Sequence, residues 1–285
     1  MVEKEHMGGV CLNWGCIPTK SLIRNAEIIN LLNDGKTFGF KFDNLQVDYG
    51  VAHKRSRQVS QRLIKGIGFL MKKNNIDVLE GLGTLKNATE VEVNGEIYTA
   101  KNSIIATGTH ARVFPGIKVN GKTILTAHEA LEVTEAPKSM VVIGAGAIGM
   151  EFSYIFNSYE TSVTVVEVLP HALPLEDEDV GKEIEKQFGR AGITVKVGTK
   201  VEKVDDHGDS ITVTVSKDSQ IEKLKADMAL VSIGVGPNSQ NIGLENVGVA
   251  TDEGGFIIHK DMKKRYCQSD LRICFSAQFQ SNRSY

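Results

Sequence analysis

No stretch of this sequence approaches the roughly 18 consecutive apolar residues that a membrane-spanning helix requires. Met1 to His6 (MVEKEH) has neither the apolar core of a signal peptide nor an arginine-rich transit pattern. A cytoplasmic location is therefore expected, with the mitochondrial matrix as the alternative for a eukaryotic chain that is incomplete at its N-terminus. Neither sign of charge prevails: 33 basic and 35 acidic residues leave a formal charge of −2, which removes the electrostatic case for a nucleic-acid or anionic-membrane partner. Cysteine is sparse as well. The four thiols, Cys11, Cys16, Cys267 and Cys274, do not make a disulfide-stapled fold of 285 residues, so a reducing compartment fits and their chemistry has to be sought locally. The length leaves room for about two domains of ordinary size.

What is present is strongly periodic. Pro18 suits a helix first turn, and Leu22, Ile23, Ala26, Ile29 and Leu32 recur at helical spacing until Asn33-Asp34-Gly35. Val59, Leu63, Ile67 and Leu70 predict the apolar face of a second helix ending at Asn74-Asn75. Thr89 to Val93 and Glu96 to Ala100 flank Asn94-Gly95, a hairpin signal, and a buried strand is expected at Ser103 to Ala106. From Met140 to Glu167 the pattern runs strand, glycine-rich turn, helix, strand, as in a parallel βαβ unit. A helix over Val180 to Ala191 and strands at Ile193 to Val197, Val201 to Val204, Ile211 to Val215 and Met228 to Ile233 follow. From about Lys260 no period is visible.

Gly144, Gly146 and Gly149 follow the apolar strand MVVI and open a helix, so free backbone N–H groups and the helix dipole can face a pyrophosphate. Glu167 lies 23 residues after Gly144, at the end of the next strand, where a carboxylate accepts hydrogen bonds from a ribose diol. The same carboxylate repels a 2′-phosphate, and no arginine sits within Val168 to His171, so NAD is expected over NADP. A glycine-rich turn without a ligand is the competing interpretation.

Cys11 and Cys16 stand five positions apart at the start of a helix. A helix N-terminus stabilises a thiolate, the species that exchanges with disulfides, so the pair suits reversible dithiol chemistry and a Cys11–Cys16 disulfide is expected in the oxidised chain. A zinc site would need Cys267 and Cys274 to converge at an unusual spacing, and no metal is expected. Spacing alone leaves two unrelated buried cysteines equally open.

The segment GGVCLNWGCIPTK, joined in order by IIATGT, VVIGAGAIGMEF, VTVVE and SIGVGPN, resembles the class I pyridine nucleotide-disulfide oxidoreductases, and LNWGCIPTKSL looks most like the dihydrolipoamide dehydrogenases among them. Glutathione and mercuric reductases share the scheme. The resemblance runs from about Gly8 to His259 and implies an α/β fold: two Rossmann-like nucleotide-binding domains, the FAD domain incomplete and the NAD domain inserted, with a small antiparallel β element. The implied segments are 1–117, a partial FAD domain carrying the cysteines; 118–241, the NAD domain; and 242–285, a partial return to the FAD domain with an unmatched tail after about Met262.

The resemblance further implies oxidation of dihydrolipoamide by NAD through FAD, with the lipoyl domain of a 2-oxoacid dehydrogenase complex as partner. Cys11 would exchange with substrate and Cys16 would lie against the flavin. Lys20 would approach the flavin and pair with Glu151 at the base of the nicotinamide site, although on spacing alone both are solvated helix charges. Thr107 and Gly108 would contact FAD, and Gly234 belongs to the last nucleotide motif, where Val235 replaces a common arginine. The first FAD turn, the second flavin motif and the dimerisation domain with its His-Glu acid-base pair are not found, and none of the seven histidines falls in that pair. Truncation at both ends is thus expected, with activity impaired; a catalytically silent NAD-binding fragment and a related reductase are the alternatives. The family is homodimeric.

Overall fold

The computed structural model describes residues 1–258 and, beyond them, the backbone of two short strands, Tyr266–Gln268 and Leu271–Phe275. The rest of the aperiodic tail lies outside the described residues. Helices run over Gly9–Asn13 (α1), Cys16–Asn33 (α2), Tyr49–Lys73 (α3), Ala127–Ala130 (α4), Ala147–Ser158 (α5) and Glu178–Arg190 (α6). The chain divides into two compact units, one formed by Met1–Val10, Arg62–His110 and Val235–Tyr285, the other by Cys11–Gln61 and Ala111–Gly234.

In the second unit a five-stranded parallel sheet has the order Thr194–Lys196, Ser162–Val166, Ser139–Ile143, Met228–Val231, Ile124–Leu125. Its central strands are apolar at nearly every position because both faces are covered. Met140, Val142, Val163, Val165 and Leu230 point to one side, where Phe152, Ile155 and Phe156 of α5 and Leu22 of α2 fill the layer. Val141, Ile143, Val166, Ala229 and Val231 point to the other, against Ile211, Val213 and Val215 of an antiparallel sheet. That second sheet joins Lys200–Asp206, Ile211–Lys217 and Gln220–Ala226. The expected βαβ unit is therefore present as strand Ser139–Ile143, helix α5 and strand Ser162–Val166.

The first unit holds a three-stranded antiparallel sheet, Gly83–Asn87, Glu90–Val93 and Glu96–Thr99. The hairpin signal is realised: Asn94 and Gly95 take φ of 52° and 85°, the left-handed pair that matches strand twist. Leu85, Ile105, Ile242, Leu244 and Val249 form its core. The architecture is mixed α/β, with a parallel nucleotide-type sheet and small antiparallel sheets.

Two sequence expectations need correction, and one strand was not expected. Helix α3 forms, but its buried residues are Tyr49, Ala52, Ser56 and Ser60, whereas Leu63 and Leu70 are exposed. Small side chains let this end of the helix approach its neighbours, while Tyr49 packs its ring on Phe156 and Tyr159. In the strand expected at Ser103 to Ala106, Ile105 is buried and Ile104 is 68% exposed, so one face is open. The strand Gln220–Ala226 has no apolar alternation to announce it; it is mostly exposed and is held by its register with Ile211–Lys217. The second unit also includes Cys11–Gln61, whose helix α2 packs on α5.

Candidate active site

The strand Ser139–Ile143 feeds directly into Gly144, whose φ of +104° is open to glycine and strained for other residues. A Cβ at Gly144 would stand 2.6 Å from the Ser232 carbonyl oxygen. At Gly149 it would collide with the Gly144 carbonyl and lie 2.6 Å from Ser232 Oγ. The turn therefore closes only with glycine at both places. Gly146, the N-cap of α5, differs: an added Cβ would meet nothing within 4 Å. That open space faces a helix N-terminus whose first N–H groups have no partners within the helix, which fits a dinucleotide pyrophosphate.

Glu167 is 7% exposed, and its carboxylate is tied to the turn itself: Oε2 accepts from Ala145 N at 2.8 Å and Oε1 from Leu169 N at 2.9 Å. A carboxylate has about four acceptor positions, so capacity remains for ribose hydroxyls. Gly234 takes φ of +114°, with open space where a Cβ would stand, and its carbonyl accepts from Arg112 N at 3.0 Å.

The cysteines belong to the same unit. Cys11 lies in α1 and Cys16 opens α2; both are free thiols, and their side chains hydrogen-bond to each other. Burial pushes the Cys11 thiol above its ordinary value, the hydrogen bond with Cys16 and the charge of that neighbour add to the rise, and the backbone N–H groups of Cys16 and Ile17 work against it. The helix terminus thus acts on Cys11 in the expected direction but is outweighed. Lys20, one turn further along α2, pairs with Glu151 on α5. That ion pair links the helix of the thiols to the helix of the glycine turn, and neither spacing nor propensity announces it.

In the other unit Thr107 and Gly108 follow the strand Ser103–Ile105. Gly108 has φ of +72° with open space about it. The Asn238 amide donates to the Thr107 carbonyl, and Asn238 N to the Gly108 carbonyl, both at 3.0 Å. One residue that sequence reasoning missed is Arg57, which donates to the Asn13 carbonyl between the cysteines at 2.8 Å. The two lie 44 positions apart, with no local signal to join them.

The family model for pyridine nucleotide-disulphide oxidoreductases matches residues 1–269. The chain belongs to that family. A dihydrolipoyl dehydrogenase from Mycobacterium tuberculosis is 46% identical over 256 residues, 88% of this chain and 55% of the relative. One from Rhizobium etli is 42% identical over 275 residues, 89% of this chain and 57% of its own length. The chain thus spans about half the length of the curated relatives it matches. Among solved structures, the HOCl-induced flavoprotein disulfide reductase RclA from Escherichia coli aligns with a TM-score of 0.80 at 25% identity, over 96% of this chain and 59% of that one. LpdA from Mycobacterium tuberculosis, at 24% identity, shares the fold with a TM-score of 0.85 over 95% of this chain and 60% of its own.

Proposed function

We propose that the chain carries the dithiol and nicotinamide halves of a flavin-dependent disulfide oxidoreductase of the dihydrolipoyl dehydrogenase type. The observation that supports this most is the juxtaposition within one unit of two hydrogen-bonded thiols, a glycine turn shaped for a pyrophosphate, and an ion pair joining their helices. Gly144, Gly146 and Gly149 would hold NAD, with Glu167 on its ribose and Gly234 in the last nucleotide motif. For FAD the proposed contacts are Lys20, Thr107 and Gly108. FAD, when bound, supplies two-electron transfer between a dithiol and a nicotinamide.

The chain's own groups divide the remaining work. Cys11 exchanges with the substrate dithiol, Cys16 is its partner in the internal disulfide that the substrate reduces, and Glu151 holds the Lys20 ammonium in place. The substrate class is a dihydrolipoyl group carried on a lipoyl domain, with a second subunit as partner. We propose the NAD domain at 118–241 and an FAD domain divided around it, in a reducing compartment such as the cytoplasm or the mitochondrial matrix.

Purified protein, first oxidised to the Cys11–Cys16 disulfide, then mixed with excess FAD and titrated with NADH, tests this. Uptake of flavin and appearance of two new titratable thiols on Cys11 and Cys16 are expected. Protein that stays colourless yet binds NADH supports instead an NAD-binding module without turnover, which the doubly covered sheet of the second unit favours.

A further inference from the structure

The four residues between the cysteines, Leu12 to Gly15, are gripped at two consecutive positions from outside the loop. Arg57 donates from Nη2 to the Asn13 carbonyl at 2.8 Å and from Nη1 to Glu132 Oε1 at 2.9 Å. Asn13 is 6% exposed, so this charge-assisted bond operates where screening is weak. The indole of Trp14 lies against the imidazole of His128, ring centres 4.5 Å apart. His128 belongs to α4, whose first turn is fixed by the reciprocal capping of Thr126 and Glu129, and Glu132 follows two residues after that helix. Both grips therefore lead back to one rigid turn.

We propose that Arg57 and His128 are positioning residues for the Cys11–Cys16 couple. By holding Asn13 and Trp14 they keep one thiol at a high effective concentration toward the other and so favour ring closure. The proposal rests on the function proposed above. In the step concerned, Cys11 and Cys16 together lose two protons and two electrons and form one S–S bond. A glutathione disulfide that accepts them is cleaved to two glutathione thiols, so atoms and electrons balance.

The test equilibrates the purified full chain with defined ratios of glutathione and glutathione disulfide, traps free thiols, and maps the peptide holding both cysteines. Arg57→Gln is expected to lower the ring-closing constant about tenfold, equivalent to about 30 mV for a two-electron couple. Arg57→Lys, which restores one donor, recovers part of that loss. Glu132→Gln and His128→Leu, at the outer ends of the grips, are each expected to lower the constant about threefold, and they decide the matter should Arg57→Gln not fold. A merely structural role would lower stability and leave this constant, measured in folded protein, unchanged. A parent that closes normally alongside variants within about twofold of it overturns the positioning role alone. A parent that forms no Cys11–Cys16 disulfide at any ratio overturns the redox function and the positioning role together.

Discussion

The glycine turn and the cysteine loop lie in the same unit and are built on different principles. The turn is a backbone construction: Gly144 and Gly149 are dictated by carbonyl oxygens and a strand behind them, and Glu167 reaches back to secure Ala145. The loop is a side-chain construction, whose cysteines meet across two short helix ends held by Arg57, Trp14 and His128. A backbone device allows little substitution, and its residues reveal it. A side-chain device can be assembled from partners distant in sequence, and its residues conceal it.

The largest expected effect would sharpen that contrast at the turn. Gly149→Ala should cost about 3 kcal/mol or more, because the added methyl meets a carbonyl that cannot withdraw; an unfolding midpoint in urea equal to the parent's would show the turn to be softer than described. Next comes Glu167→Ala, which strands the N–H groups of Ala145 and Leu169 and should cost about 2 kcal/mol. In parallel NADH and NADPH titrations the same variant should discriminate less against the 2′-phosphate, and an unchanged affinity ratio would count against the ribose role. Lys20→Met is expected to cost less than about 1 kcal/mol, since the ion pair is substantially exposed. Its effect should instead be on flavin binding, followed by the absorbance of retained FAD.

The smallest effect concerns pH. Because the Cys11 thiol is raised, chiefly by burial, folding favours the neutral thiol. Its stabilisation is whole below the ordinary thiol pKa of about 8.5 and is lost as pH rises through the raised native value. The unfolding midpoint should therefore fall slightly on going alkaline, and Cys11→Ser should flatten that portion of the curve.

The sequence made the βαβ unit legible because a sheet covered on both faces needs continuous apolar strands, as in MVVI and SVTVVE, and because its turn admits little besides glycine. The Asn94-Gly95 hairpin was legible for a similar reason, a backbone geometry with few eligible residues. The face of α3 was not: Val59, Leu63, Ile67 and Leu70 have the right period, yet the helix buries the smaller Ala52, Ser56 and Ser60. Polar Gln220–Ala226 gave no sign because its strand is held by ladder bonds to a neighbour. Within the candidate site, the thiols and glycines were visible in sequence, and Lys20 with Glu151 only through family resemblance. Arg57 on Asn13 was visible by neither route, since it joins distant positions through a backbone carbonyl that any residue supplies.

The chain contains a single tryptophan, and it is Trp14, which falls between Cys11 and Cys16 in sequence and packs its ring against His128. The indole emission of the whole molecule therefore originates in the loop that must move when those sulfurs bond or part. The protein carries its own optical probe of ring closure, readable in unlabelled material.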